Sequence, residues 1–189
     1  MTIRAFNKVT RAWASSEDGS DLTPPENWVL NPVFDNEQWA MKIGPEFWTI
    51  TGSSITTPTQ QEYEATMRER ARAQKWREIQ EWRDARIQNG GYKVGNYWFH
   101  SDNISRIQQL GLVLLGANMP DNLMWKTMSG EFVQMTPTLA QQIFQAAAAS
   151  DMAIHAVAEV HRQQVMAVEN PCEYDWKTQS PPWPKVFGE

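Results

Sequence analysis

The chain has a single cysteine, Cys172, in 189 residues, which excludes an intrachain disulfide framework and any zinc site built on cysteines. Histidine is almost as scarce. Of the three, His155 and His161 are six apart, which on a helix puts them on different faces, and His155 has only Glu159 four residues on. Satisfied or solvent-facing histidines are expected there, not metal ligands. His100 beside Ser101 is no nucleophile pair either, because neighbours in a strand point to opposite faces. Basic residues are also short: 17 Lys and Arg against 22 Asp and Glu leave a net charge of −5. That balance offers no electrostatic footprint for nucleic acid. No run reaches about 18 apolar residues, and the start MTIRAFNKVTRAW lacks the apolar core and cleavage site of a signal peptide. Synthesis in a cytoplasm, with neither membrane nor nucleic acid as partner, is the expectation. Gly-rich phosphate loops, nucleophile elbows and zinc motifs are missing, and the many carboxylates include no pair that stands apart as a glycosidase couple. No catalytic residue, metal or cofactor is therefore nominated, and a binding or structural role is expected.

What the chain has in excess is tryptophan, with ten residues spread from Trp13 to Trp183. Two explanations stand side by side. Thin β-rich layers with little core use large rings, each removing 150–250 Å² from water, and tryptophan is also enriched where partners dock. The apolar share of 41% is close to the globular norm and excludes disorder throughout.

One order of elements recurs three times. In GGYKVGNYWFHSD, the β-formers Tyr92, Val94, Tyr97 and Phe99 flank a Gly95-Asn96 turn, and Ser101 or Asp102 stands where a helix cap belongs. FWTITGSSITTPTQQEYE repeats the pattern around Gly52-Ser53, and MWKTMSGEFVQMTPTLAQQ around Ser129-Gly130. Thr57-Pro58 and Thr136-Pro137 each place a cap before the one helical position that tolerates proline, and Thr57 has Gln60 three residues on as a capping box.

The spacing predicts a charged helix from Pro58 to about Gln88, stopped by Asn89-Gly90-Gly91. Its narrow apolar stripe through Tyr63, Met67, Trp76, Ile79 and Ile87 fits a solvated spacer or a short coiled-coil contact. A shorter helix follows from near Asn103 to Gly116, in which Gly111 is expected to mark close packing against another element. One long helix is expected from Pro137 to about Glu169, ended by Asn170-Pro171.

The fold class is α+β, with short hairpins each feeding a helix. Its segments are a β-rich domain at 1–57, a connecting helix at 58–88, an α+β domain at 89–170 and an extended Pro/Trp tail at 171–189. In the tail, EYDWKTQSPPWPKVFGE, proline pre-orders an extended backbone while Trp176, Pro182, Trp183 and Phe187 offer apolar area. These four, with Trp76 and Trp82 on the connecting helix, are the candidate partner-binding residues. The tail is expected to lie along a neighbouring subunit or the chain's own N-terminal layer, and its removal to leave the helical core folded. A frayed end is the alternative.

From Gly90 to about Glu169, the hairpin, the Ser-containing helix start, the WK-turn and the TP-led long helix resemble a domain of uncharacterised function encoded by tailed bacteriophages. FWTITGSSITTPTQQEYE resembles the segment found before it in tail and tail-fibre-associated phage proteins. The resemblance implies a non-enzymatic phage tail protein, either a tail-fibre assembly chaperone or cap, or an intrinsic subunit of tail or baseplate. It implies a fibre or baseplate protein as partner, copies in a symmetric assembly, and residence in the host cytoplasm and then the virion tail. A glycan-binding adhesin is a third, weaker reading. The family supplies no catalytic residues to carry over, and its relatives have a helix rich in Lys and Ile where this chain has Ala and Gln.

Overall fold

The three hairpins form where their turn residues place them. In the computed structural model, which describes residues 2–189, β5 (Thr49–Thr51) pairs with β6 (Ser54–Thr56), β7 (Tyr92–Val94) with β8 (Tyr97–Phe99), and β9 (Met124–Lys126) with β10 (Phe132–Gln134). Val94 opposes Tyr97, so Gly95-Asn96 is a two-residue loop with Gly95 at φ +60°. This is the primed geometry that matches strand twist. Each hairpin leads to a helix: α2 (Gln60–Asn89), α3 (Asn103–Leu115) and α4 (Pro137–Ala167). The α+β class holds.

The caps follow from the same local chemistry, with one change of register. Asp102 accepts from the Ser105 amide at 2.9 Å, and Thr136 from the Leu139 amide at 3.1 Å. On α2 the capping box is Thr59 with Glu62, not Thr57 with Gln60. The Glu62 carboxylate accepts from the Thr59 amide at 2.8 Å, while the Thr59 hydroxyl accepts from the Glu62 amide at 3.3 Å. Thr57 is engaged elsewhere, its amide and hydroxyl both donating to Asp35.

The chain divides into two compact units, one ending at Glu69 and one running from Arg70 to Glu189. In the first, β1 (Ile3–Asn7) is the centre of an antiparallel sheet with β2 (Trp13–Ser16) and β3 (Trp28–Leu30), while β4 (Val33–Phe34) runs parallel to β6. A short helix, α1 (Glu37–Ile43), capped by Asn36, lies in the stretch read as β-rich. Phe6, Ala40, Trp48 and Ile55 form its core. The Trp48 ring lies tilted against Phe6, with centroids 4.9 Å apart, and donates its indole N–H to the Ala40 carbonyl at 3.0 Å, so this ring is core rather than docking surface.

In the second unit Tyr92, Phe99, Met135, Ala140 and Ile143 join the hairpins to α4. Tyr97 packs against this cluster, and Phe99 is fully buried within it. The β7–β8 hairpin is thus anchored by its own side chains. Helices α3 and α4 are tied by Arg106, whose guanidinium meets Asp151 with two bonds of 2.6 and 2.9 Å and reaches the Ser101 carbonyl at 2.6 Å. The Tyr92 hydroxyl donates to Gln109, and burial pushes the phenol up to about 12. Gly111 is a correction: a side chain built there would meet nothing within 4 Å. It stands on the open side of α3, not at a packed crossing.

Candidate functional site

After α4 the chain makes a short 3-10 turn at Pro171–Glu173 and doubles back over the helices of its own unit. Trp176, 7% exposed, enters a core with Ile79 of α2 and Ala158 and Val165 of α4. Trp76, Trp82, Tyr174 and Trp183 pack around it. The indole of Trp183 donates to the Trp176 carbonyl at 2.9 Å and its ring stacks on His161 at 5.5 Å. Beyond that, the Phe187 amide donates to the Gly90 carbonyl at 2.8 Å. The end is fixed by Arg86, buried in α2, which donates to both carboxylate oxygens of Glu189 at 3.0 and 2.6 Å and to the Pro184 carbonyl at 2.9 Å. That guanidinium holds the Glu189 carboxyl below the usual carboxylate range.

Four of the six nominated residues, Trp76, Trp82, Trp176 and Trp183, are therefore brought together, and their apolar area is engaged by the chain itself. Pro182 is exposed, and Phe187 is 40% exposed with its ring 6.2 Å from Trp98. The tail is a strap on α2 and α4 and not a frayed end. Because Ile79 and Val165 share a core with Trp176, removal of the tail is now expected to uncover them and destabilise α2 and α4, in place of the expectation that the helical core stays intact. The stripe of α2 through Trp76 and Ile79 finds its partner within the chain.

Sequence reasoning missed a groove of about 710 Å³ between the tip of the β7–β8 hairpin and α4. Val94 and Tyr97 line one wall, and Leu139, Gln142, Ala146 and Ala149 the other. The signal was present: the four α4 positions recur at intervals of three and four, one helical face of uncharged side chains. Lys93 and Tyr97 are the only ionisable residues of its lining.

The profile of the family described as Domain of unknown function (DUF4376) matches residues 70–178, more than half of the chain. The chain belongs to the DUF4376 family. The match opens at the first residue of the second unit and takes in α3, α4 and Trp176. No curated protein and no solved structure matches the chain. Among the described residues of this DUF4376 protein, no three His, Cys, Asp or Glu are grouped so as to hold a metal. No helix among them is long and apolar enough to cross a membrane.

His161 gives the strap of this DUF4376 protein a pH dependence. The ring is fully buried, its Nε2 donating to the Pro181 carbonyl at 3.0 Å and its Nδ1 meeting the Tyr174 hydroxyl at 2.7 Å. Burial pulls the imidazole below its ordinary range, against a smaller opposing pull from the Pro181 carbonyl. The unfolded chain then takes up a proton at higher pH than the fold, so stability is complete above the unfolded histidine pKa of about 6.5 and falls as pH drops below it. Melting temperature should decline between about pH 7 and pH 5, and His161→Gln should flatten that slope. A wild-type melting curve that is level across this window counts against a neutral, buried His161.

Proposed function

We propose that this chain is a non-enzymatic phage tail protein, a tail-fibre-associated assembly chaperone or cap that acts by holding fibre chain, with the host cytoplasm and then the virion tail as its setting. The observation that carries the reading is the coincidence of two things. The segments resembling tail-associated phage proteins are the ones that build the hairpin-and-helix units, and two of those units line an open surface groove without carboxylate or imidazole in its lining. Lys93 and Tyr97 are the ionisable residues of that lining, and the rest of it, apolar walls with the amides of Asn96, Gln142 and Gln145, offers an extended segment both cover and hydrogen-bond partners. The alternative reading, an intrinsic subunit of tail or baseplate, draws support from the large apolar residues left exposed on the second unit, which suit packing in symmetric copies.

Co-expression with the fibre gene of the same phage tests the proposal. Soluble trimeric fibre should depend on this protein, and Gln145→Arg with Ala149→Arg, both on exposed positions of the groove, should abolish that dependence while leaving the melting temperature unchanged. Fibre that folds equally well without the protein, in a phage whose purified tails still contain it, would move the assignment to the structural subunit. Fibre yield unaffected and tails lacking the protein would sink both.

A further inference from the structure

Helix α3 carries two apolar arcs, and only one is used. Leu112 and Val113 pack inward with the hairpin core, and Gln109 is buried beside them. On the opposite side Ile104, Ile107 and Leu114 are 70%, 70% and 79% exposed, with Leu110 and Leu115 flanking them at 42% and 43%. Ile104, Ile107, Gly111 and Leu114 follow one another at steps of three, four and three. That is the spacing of a helix-pairing seam, not of a face meant for water. The sole charge of α3, Arg106, is engaged by Asp151, so the seam has no ionic group of its own.

We propose that this face of α3 is a self-association surface whose occupant is α3 of a second copy of the same chain. Three features point to a like helix. The seam has no charged group, and the exposed polar side chains beside it are the neutral amides of Asn103 and Gln108, so two identical copies meet on it without like-charge repulsion. Gly111 lies near its middle with open space where a side chain would project, so two helix backbones can approach closely there. In a two-fold pairing Ile107 of one copy then faces Leu114 of the other across the glycines, the self-complementary arrangement such symmetry requires. Each copy offers five large apolar side chains, 42–79% exposed, on this one helix, a contiguous apolar surface of the kind that marks an association site. A lipid surface fits less well, because the exposed arc has no Lys or Arg to meet anionic headgroups. The inference stands on α3 alone and does not depend on the fibre-assembly reading.

Sedimentation of the full chain tests it. At about 10 μM, tenfold above a micromolar Kd, the wild type should run at twice the mass of the chain. Ile107→Glu with Leu114→Glu should run as a monomer with unchanged circular dichroism, both positions being solvent-facing in the single chain. In a Cys172→Ser background, oxidation of Gly111→Cys should give a covalent dimer. A wild type that is monomeric up to about 100 μM, a hundredfold above that Kd, overturns the proposal. So does a dimer that survives both glutamates, or an oxidised Gly111→Cys chain without a covalent link. A monomer that floats with phosphatidylcholine vesicles assigns the seam to lipid instead.

Discussion

Trp176→Ala should destabilise the second unit by about 3–5 kcal/mol, the range for removing a buried aromatic ring. The ring has 7% of its surface in solvent and fills the space between Ile79, Ala158 and Val165, so its loss leaves a cavity that three elements must close together. It also sits 5.4 Å from Trp82 and 6.4 Å from Trp183, with Lys177 5.0 Å over its face. Those neighbours lose contacts that the transfer term alone does not count. The effect should be local. Hydrogen exchange in the α4 segment around Ile154–Val165 should accelerate strongly, while the strands β1 to β3 keep their protection. Phe187→Ala, on the same strap but 40% exposed, should cost far less. A Trp176→Ala protein that unfolds within about 0.5 kcal/mol of the wild type would place this ring among ordinary surface positions and sink the strap as a structural element.

The strap also alters what truncation experiments mean. Removing residues 173–189 takes away Trp176, Trp183 and the carboxylate of Glu189 together. The Arg86 guanidinium would lose both carboxylate bonds and the Pro184 carbonyl, and His161 would lose its Pro181 acceptor and its stacking partner. A truncated protein that fails to bind a partner is then explained by lost folding as readily as by a lost contact. Single substitutions at Pro182 or Phe187, where the strap faces solvent, separate the two.

What was legible in the sequence is what adjacent residues decide among themselves. Gly95-Asn96, Asp102 and Thr136-Pro137 act within four residues of where they stand, and the hairpins and caps they specify formed in place. The cap of α2 shows the limit of that reading, since Thr57 with Gln60 and Thr59 with Glu62 are overlapping boxes. The second prevails because Glu62 brings a charged acceptor to the positive end of the helix and because Asp35, far off in sequence, engages Thr57. Helix α1 escaped notice because seven residues hold too few periods to reveal a face. Distance in sequence hid more. The partner of Arg86 lies 103 residues away in Glu189, so a strap looked like a free tail. Helix α3 misled for another reason: glycine inside a helix is costly, and close packing is the usual compensation for it. That reasoning does not say which face a glycine occupies, and only the arc of Gln109, Leu112 and Val113 faces the core.

Gly91→Ala should be the most damaging single-methyl change in the hairpin, at about 2–4 kcal/mol, the sum of a strained backbone and an overpacked site. Gly91 sits at φ +71°, and a Cβ there would fall 2.9 Å from the Phe99 carbonyl oxygen and 2.2 Å from the Met128 sulfur. Neither Gly91 nor the Phe99 backbone can shift freely. The Gly91 amide donates to Ser101 at 2.9 Å, and Phe99 belongs to the strand paired with Tyr92, so movement here breaks the link between hairpin and helix start. Gly95→Ala separates the two contributions, because Gly95 has φ +60° but nothing within 4 Å of the added carbon, leaving only a backbone cost of about 1–2 kcal/mol. The clash itself has a soft part and a hard part. Met128 is the flexible end of a side chain, whereas the Phe99 oxygen is backbone. Combining Gly91→Ala with Met128→Ala should therefore recover part of the loss and not all of it, a coupling that a double-mutant cycle in urea reads directly. If Gly91→Ala melts no lower than Gly95→Ala, the crowding at the base of the hairpin does not constrain the fold.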